Sequence, residues 1–136
     1  MGKIYKNPKD LTPLQYKYAD EYMLKSGDSW EEFKSTPKEH TVFEWEDGWV
    51  DYTTTKEVLF DFEGKRIKKD IFWIYTIFSK GNTLKKFRDI QKVARDKYKC
   101  DVVRFSTLRS KGAWERELRI FKPKAIQTVF EMEIEK

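Results

Sequence analysis

The stretch that decides the fold is residues 70–108, which read DIFWIYTIFS, KGN, TLKKFRDIQKVARDKY, KCD and VVRFSTL in order. The first block, 70–79, is apolar at almost every position and has no polar face, which is typical of a central strand covered on both sides. Residues 102–108 form a second apolar run. Between them, residues 83–98 carry apolar side chains at helical spacing. This order predicts two neighbouring parallel strands joined by a right-handed helical crossover.

Two helix starts are marked in the N-terminal part of the chain. Thr12 and Gln15 form a capping box, in which the two side chains satisfy free backbone N–H groups of the first turn. This box predicts one helix from about residue 13 to the Ser26-Gly27 stop. Ser29 and Glu32 form a second box, which predicts a short helix ending near Pro37.

Between these helices and the crossover, the hydrophobic period changes to two, which predicts strands. Asp47-Gly48 is a turn signal, so we expect strands at 42–47, 49–52 and 56–62 to form an antiparallel meander. After the crossover, the pattern predicts a helix at 113–121 and a closing strand at 125–134. The predicted fold class is therefore α/β, with an antiparallel N-terminal meander, a parallel central strand pair and helices on both faces.

Composition limits the protein classes that remain. The 136 residues fit a single domain, 1–136, and 39% hydrophobic residues are too many for a disordered chain. With one cysteine, Cys100, no intrachain disulfide is expected, which favours a reducing, intracellular setting. One histidine, His40, does not provide the ligands of a Cys/His zinc site, so no metal is expected. No apolar run approaches transmembrane length, and we expect no membrane association.

The positive charge is concentrated in residues 80–124. This segment holds fifteen Lys and Arg and five acidic residues, a net charge of +10, whereas the rest of the chain carries −5. Such a segment favours an anionic partner, which can be the phosphates of a cofactor, a nucleic acid or an acidic protein. The equally weighted alternative is that these cations only form the solvated faces of helices.

The C-terminal half resembles the GNAT acetyltransferase fold, and especially the small GNAT-like proteins of bacteriophages. The resemblance covers roughly residues 70–134, and the N-terminal helices fit it as well, because GNAT folds place two helices before the early antiparallel strands. The residues that carry it are Cys100, Val102–Phe105, Ser106-Thr107, Arg109, Gly112, Trp114-Glu115-Arg116 and Phe121-Lys122-Pro123.

The resemblance implies acyl transfer from acyl-coenzyme A, with acetyl-CoA as the cofactor, to an amine. In the family, a glycine-rich loop after the central strand opens a helix, and its backbone N–H groups hold the pyrophosphate. This sequence has Ser79–Lys85 there, with one glycine of that loop, and Lys80, Lys85 and Lys86 as cations. The predicted cofactor-binding residues are Phe78, Ser79, Lys80, Gly81, Asn82, Thr83, Lys85 and Arg109.

Transfer to an amine needs a base, and the candidates are Glu57 and Asp61 on the meander. The alternative for both is a solvent-facing strand charge. In the family, a tyrosine on the helix after the strand at 102–108 acts as the general acid. The corresponding helix here carries Trp114 and Phe121 and has no tyrosine. Cys100 is better explained as a buried thiol than as a nucleophile.

Two other functions therefore stay open beside the acyltransferase. One is a catalytically inactive GNAT-fold module, such as a virion component or a protein that docks on a phage or host assembly. The other is a nucleic-acid-binding module that uses segment 80–124. The expected location is the cytoplasm of the bacterial host or the virion.

Overall fold

The computed structural model describes residues 2–35 and 39–105. Arg109, the predicted helix at 113–121 and the predicted strand at 125–134 lie outside these residues, as do the Ser106–Pro123 positions of the family resemblance. The elements, in chain order, are β1 (Lys3–Lys6), α1 (Pro13–Lys17), α2 (Ala19–Ser26), α3 (Trp30–Lys34), β2 (Thr41–Trp45), β3 (Gly48–Phe60), β4 (Arg66–Ser79), α4 (Thr83–Asp96) and β5 (Val102–Phe105).

The five described strands form one mixed sheet in the order β1-β2-β3-β4-β5. Neighbours are antiparallel from β1 to β4, whereas β4 and β5 run parallel, in a register from Ile71↔Val102 to Ile74↔Phe105. The predicted combination of an antiparallel meander and a parallel pair is thus confirmed. The helix α4 joins the parallel strands, as residues 83–98 predicted.

The sheet is covered on both faces, by different helices. On one face, Phe87, Ile90 and Ala94 of α4 pack against a buried group from β3 and β4, which consists of Val50, Tyr52, Phe72 and Ile74. The strands contribute aromatic as well as aliphatic side chains here, and the Tyr52 and Phe72 rings are stacked with centroids 4.2 Å apart.

The opposite face carries an aromatic core beneath α1–α3. Trp49 lies between Phe33 of α3 and Phe78 of β4, with ring centroids 5.7 and 5.1 Å away. Tyr22 of α2 packs 4.5 Å from the Phe33 ring. Aromatic rings of this size bury enough apolar area to hold three short helices that would be marginal alone.

Both predicted capping boxes are present, at Thr12 with Gln15 and at Ser29 with Glu32. The single helix expected from residue 13 to 26 is wrong, because Tyr18 breaks it into α1 and α2. Tyr18 has φ −108° and ψ 15°, and its ring stacks on Phe78 with centroids 5.3 Å apart. Tertiary packing overrides the local helical pattern at this residue.

The predicted separate strands at 49–52 and 56–62 are one continuous strand, β3. The linking residues Thr53, Thr54 and Thr55 are β-branched and favour extended backbone, so no break is needed. Gly48 is the second residue of the predicted turn, and a Cβ there would lie 2.2 Å from the Phe78 carbonyl oxygen. The turn therefore requires glycine because β4 approaches closely.

The distal halves of β3 and β4 project beyond the rest of the described sheet. The last β3 partner of β2 is Tyr52, and β5 pairs with β4 only from Ile71 onward. We call residues 53–70 the arm. Within the described residues it is a two-stranded ribbon, and its large apolar side chains are exposed: Val58, Leu59, Phe60, Phe62 and Ile67.

Candidate functional site at the junction of β4 and α4

A β-bulge interrupts β4 just before the junction. Asp51 pairs with Thr76 and Tyr52 with Ile74, so Tyr75 is an extra residue with no partner on β3. The last described pair between β4 and β5 is Ile74↔Phe105, immediately before this residue. Bulges of this kind leave backbone groups unpaired and are over-represented beside active sites. Tyr75 is therefore a break in the pairing of β4 with β3 near the end of β4, shortly before the turn that leads to α4.

The turn that follows delivers the N-terminus of α4 to the same place. Asn82, the N-cap, has a left-handed backbone with φ 54°, and its side chain makes no cap hydrogen bond to the described residues. The first-turn N–H groups of this 14-residue helix have no intrahelical acceptor, and they lie at its positive end. A Cβ on Gly81 would meet no described atom within 4 Å. The backbone of the turn is thus open to an anion.

Lys86 fixes this turn from below. It is only 3% exposed, and its Nζ lies 2.8 Å from Oδ1 of Asp47. The same ammonium donates hydrogen bonds to the hydroxyl of Ser79, at 3.1 Å, and to the carbonyl of Gly81. Its charge is therefore already used inside the protein, and Lys86 shapes the site instead of facing a ligand.

The other two lysines of the turn are available at the surface. Lys80 lies 3.4 Å from Glu21 and over the Tyr18 ring, and Lys85 lies 3.5 Å from Asp89 one turn along α4. Exposed pairs of this type contribute little stability, so either cation can turn toward a phosphate at low cost. The role of these two lysines in binding a cofactor stays a prediction.

The remaining predicted cofactor residues divide into side-chain and backbone contributors. Phe78 is buried in the aromatic core, so only its backbone is available to the site. Ser79 donates to the carbonyl of Gly81 at 2.8 Å, and the hydroxyl of Thr83 lies 3.3 Å from that of Ser79. The turn from 79 to 83 is thus held by its own hydroxyl groups and by Lys86.

The two predicted bases lie on the arm, away from the bulge. Glu57 forms an ion pair with Arg104 of β5, and the hydrogen bond from that guanidinium lowers the pKa of the carboxyl group. Asp61 accepts hydrogen bonds from the backbone N–H groups of Glu63 and Lys65, at 2.9 and 2.7 Å. Each carboxylate has a structural partner, and their catalytic role stays a prediction.

The sequence did not predict a buried polar pair on the face of β3 that α1–α3 cover. The Nδ1 atom of His40 lies 2.7 Å from Oδ1 of Asp51, and both side chains are buried. Burial raises the pKa of Asp51 to about 6, and the neighbouring His40 opposes this shift. Asp51 Oδ2 has no partner among the described residues. With 1% of its surface exposed, Asp51 does not reach a substrate, so the pair affects stability. An alternating strand pattern gave no signal for it.

Cys100 is half-buried, and burial is the main cause that raises its thiol pKa, followed by the charges of Asp70 and Asp101. A thiol that resists ionisation is a weak nucleophile. Among residues 2–35 and 39–105, no cluster of three His, Cys, Asp or Glu side chains is placed to hold a metal ion. In the same ranges, no helix is both long and apolar enough to span a membrane.

Comparison of this chain with protein-family models, with curated proteins and with solved structures gives no match.

Proposed function

We propose that the chain is a GNAT-like domain that binds acyl-coenzyme A, with acetyl-CoA as the donor, at the junction of β4 and α4 and transfers the acyl group to an amine. The arrangement that supports this is a bulge at Tyr75 near the end of β4, followed by an open turn and by the N-terminus of α4, whose N-cap side chain makes no cap hydrogen bond to a described residue. The order of a strand, helices, an antiparallel meander and a helical crossover to a parallel strand also agrees with the GNAT resemblance.

Each part of the junction has a role in this proposal. The first-turn N–H groups of α4 and the open backbone at Gly81 would bind the pyrophosphate, because a helix N-terminus favours anions. Lys80 and Lys85 would add charge at the rim. The backbone at Tyr75, which has no partner on β3, would hydrogen-bond the acyl carbonyl, where negative charge develops during transfer. Lys86 would hold these groups in place through Asp47 and Gly81.

This proposal is tested with a substitution whose side chain fills the open space beside the Gly81 backbone. Acetyl-CoA should raise the melting temperature of the wild-type chain, because a ligand that binds only the native state stabilises it, by about 2.7 kcal/mol at one hundred times the dissociation constant. Gly81→Val should abolish this rise and leave the melting temperature without ligand almost unchanged, since no described atom lies within 4 Å of the added Cβ. Gln91→Val, on the exposed side of α4, is the matched control and should keep the full rise.

Absence of any thermal shift in the wild-type chain at millimolar acetyl-CoA would contradict the proposal. A shift of the same size in Gly81→Val would place the ligand elsewhere on the protein. Acetyl-CoA can bind at the junction while mass spectrometry finds no acetylated amine in a panel of polyamines and lysine peptides. That result would favour the alternative hypothesis, a catalytically inactive GNAT-fold module of a phage or host assembly.

A further inference from the structure

The exposed side of α4 carries a stripe of cations. Lys85, Arg88, Lys92 and Arg95 are all exposed and follow one another at steps of three and four residues. At about 100° per residue, these steps keep the four side chains on one side of the helix, opposite the buried Phe87, Ile90 and Ala94. The stripe runs for about 15 Å along the helix. Lys85 and Arg95 form ion pairs with Asp89 and Asp96. The hydrogen bond from Arg95 lowers the pKa of the Asp96 carboxyl group, and Lys92 lies close enough to lower it further. No ion pair with a described residue is found for Arg88 or Lys92.

The cationic surface continues from α4 onto the arm. Tyr98, just after the helix, packs with its ring 6.1 Å from that of Phe72, so α4 ends where the arm begins. In the register of β3 and β4, Val58 lies opposite Lys68 and Phe60 opposite Arg66. Strand alternation puts these two pairs on the same face as Phe72, which is the face that α4 covers farther along the sheet.

This side of the arm combines charge with exposed apolar groups. Lys56, Arg66 and Lys68 are exposed cations, and the acid on this side, Asp70, is half-buried at the base of the arm. Phe60 is 69% exposed and Val58 43% exposed. An aromatic ring this exposed between cations is unusual for a side chain that only packs, and it is available to stack on a flat ligand.

The side of the protein that carries α1–α3 is slightly acidic. Residues 9–35, which contain these helices, hold six acidic and four basic residues, a net charge of −2. Residues 83–99 hold seven basic and two acidic residues, a net charge of +5. A molecule polarised in this way orients a polyanion toward its α4 side before contact.

We propose that the α4 stripe and the adjoining side of the arm form a binding surface for single-stranded nucleic acid. The cations of α4 contact phosphates, and Phe60 stacks on a base. A single strand fits better than a duplex because the surface steps down from the top of a helix to a sheet, a path that a flexible chain follows and a stiff rod does not. It also fits better than an acidic peptide, which offers the cations carboxylates but gives Phe60 no base to stack on. The surface adjoins the acyl-CoA junction at Lys85, whereas Arg88, Lys92, Arg95 and the arm lie outside that junction.

The test is fluorescence anisotropy with a labelled oligothymidylate of 20 nucleotides, measured over a range of salt concentrations. The double variant Arg88→Glu/Lys92→Glu should weaken binding on the order of tenfold or more, and should reduce the slope of log affinity against log salt by about 1.4, since each lost phosphate contact contributes about 0.7 on a single strand. The control Lys9→Glu/Lys17→Glu makes the same change of net charge on exposed residues of the other side and should bind within about twofold of wild type.

Phe60→Ala separates stacking from charge. It should lower the affinity about fivefold or more and leave the salt slope unchanged, because a lost base stack releases no counterion. Circular dichroism and the melting temperature of each variant check that the fold is kept, which the exposure of all five changed side chains leads us to expect.

Four results would overturn the proposal. They are no binding of the oligonucleotide at low salt, equal weakening by the two double reversals, equal affinity for a labelled polyglutamate peptide, and tighter binding of a duplex of the same length. The third result would assign the surface to an acidic protein, and the fourth would assign it to double-stranded DNA. The second would show that the net charge of the protein alone explains the weaker binding of the Arg88→Glu/Lys92→Glu variant.

Discussion

β3 and β4 pass through two different environments along their length. In the first half of β3, Trp49 and Tyr52 are at most 1% exposed, whereas Val58 and Phe60 in the arm are 43% and 69% exposed. Both halves belong to one pair of strands with a continuous register after the bulge. Trp49 and Tyr52 belong to the two buried clusters that the helices cover, whereas Val58 and Phe60 lie outside both clusters, so burial along β3 follows the covering helices.

The largest expected effect comes from exchanging an aromatic residue in each environment. Trp49→Ala should lower the free energy of unfolding by about 3–5 kcal/mol, because it empties the space between Phe33 and Phe78. It also removes the hydrogen bond of 3.0 Å that the indole N–H of Trp49 donates to the hydroxyl of Thr76. Phe60→Ala should cost about 0.5 kcal/mol or less. Urea denaturation of both variants measures the comparison, and similar losses would mean that the arm is covered in solution.

A smaller effect should distinguish two neighbouring lysines of α4. Lys86→Met should lower the free energy of unfolding by about 2–4 kcal/mol, because the buried ammonium ties Asp47, Ser79 and Gly81 together. Lys85→Met, one residue earlier and 71% exposed, should change it by about 0.5 kcal/mol or less. The same denaturation series checks both variants. Equal effects would show that Lys86 does not hold the turn.

The smallest effect is the contribution of Asp51 to the pH dependence of stability. Because burial raises its folded pKa to about 6, above the ordinary value of 3.8, protonation stabilises the folded state. This contribution is complete below about pH 4 and is lost as the pH rises through 6, a fall of about 2 kcal/mol between pH 4 and 7.

Asp51→Asn is the matched control for this pH dependence, because the amide has a similar shape and does not titrate. Unfolding free energies of the wild type and this variant, measured from pH 4 to 7, should converge at low pH and separate at neutral pH, where the wild type loses stability. Parallel curves would contradict the raised pKa of Asp51.

The sequence allowed most of the described fold to be predicted where a local signal was strong. The apolar block at 70–79, the helical spacing at 83–98 and the two capping boxes each correspond to an observed element. Two local predictions were wrong, the unbroken helix through Tyr18 and the break between residues 52 and 56. In the first, ring stacking on Phe78 outweighs helix propensity. In the second, the threonines extend a strand that the alternation pattern did not mark.

The candidate site was found only in part. The position of the turn after β4 followed from the pattern, and so did the cations at 80 and 85. The bulge at Tyr75 did not, because an extra residue in one strand is defined only by its partner. For the same reason, the ion pairs of Glu57 with Arg104 and of His40 with Asp51 join residues from different strands or loops and leave no trace in local spacing.

The amino-acid sequence by itself determined the order and type of the main elements, since periodicity, caps and turn residues act within a few positions of the chain. Only the tertiary structure decided which lysine is buried, which carboxylates are paired, and which half of β3 and β4 stays uncovered. These properties depend on distances between segments far apart in the chain. Burial, charge pairing and pKa are set by those distances, so they arise when the segments pack.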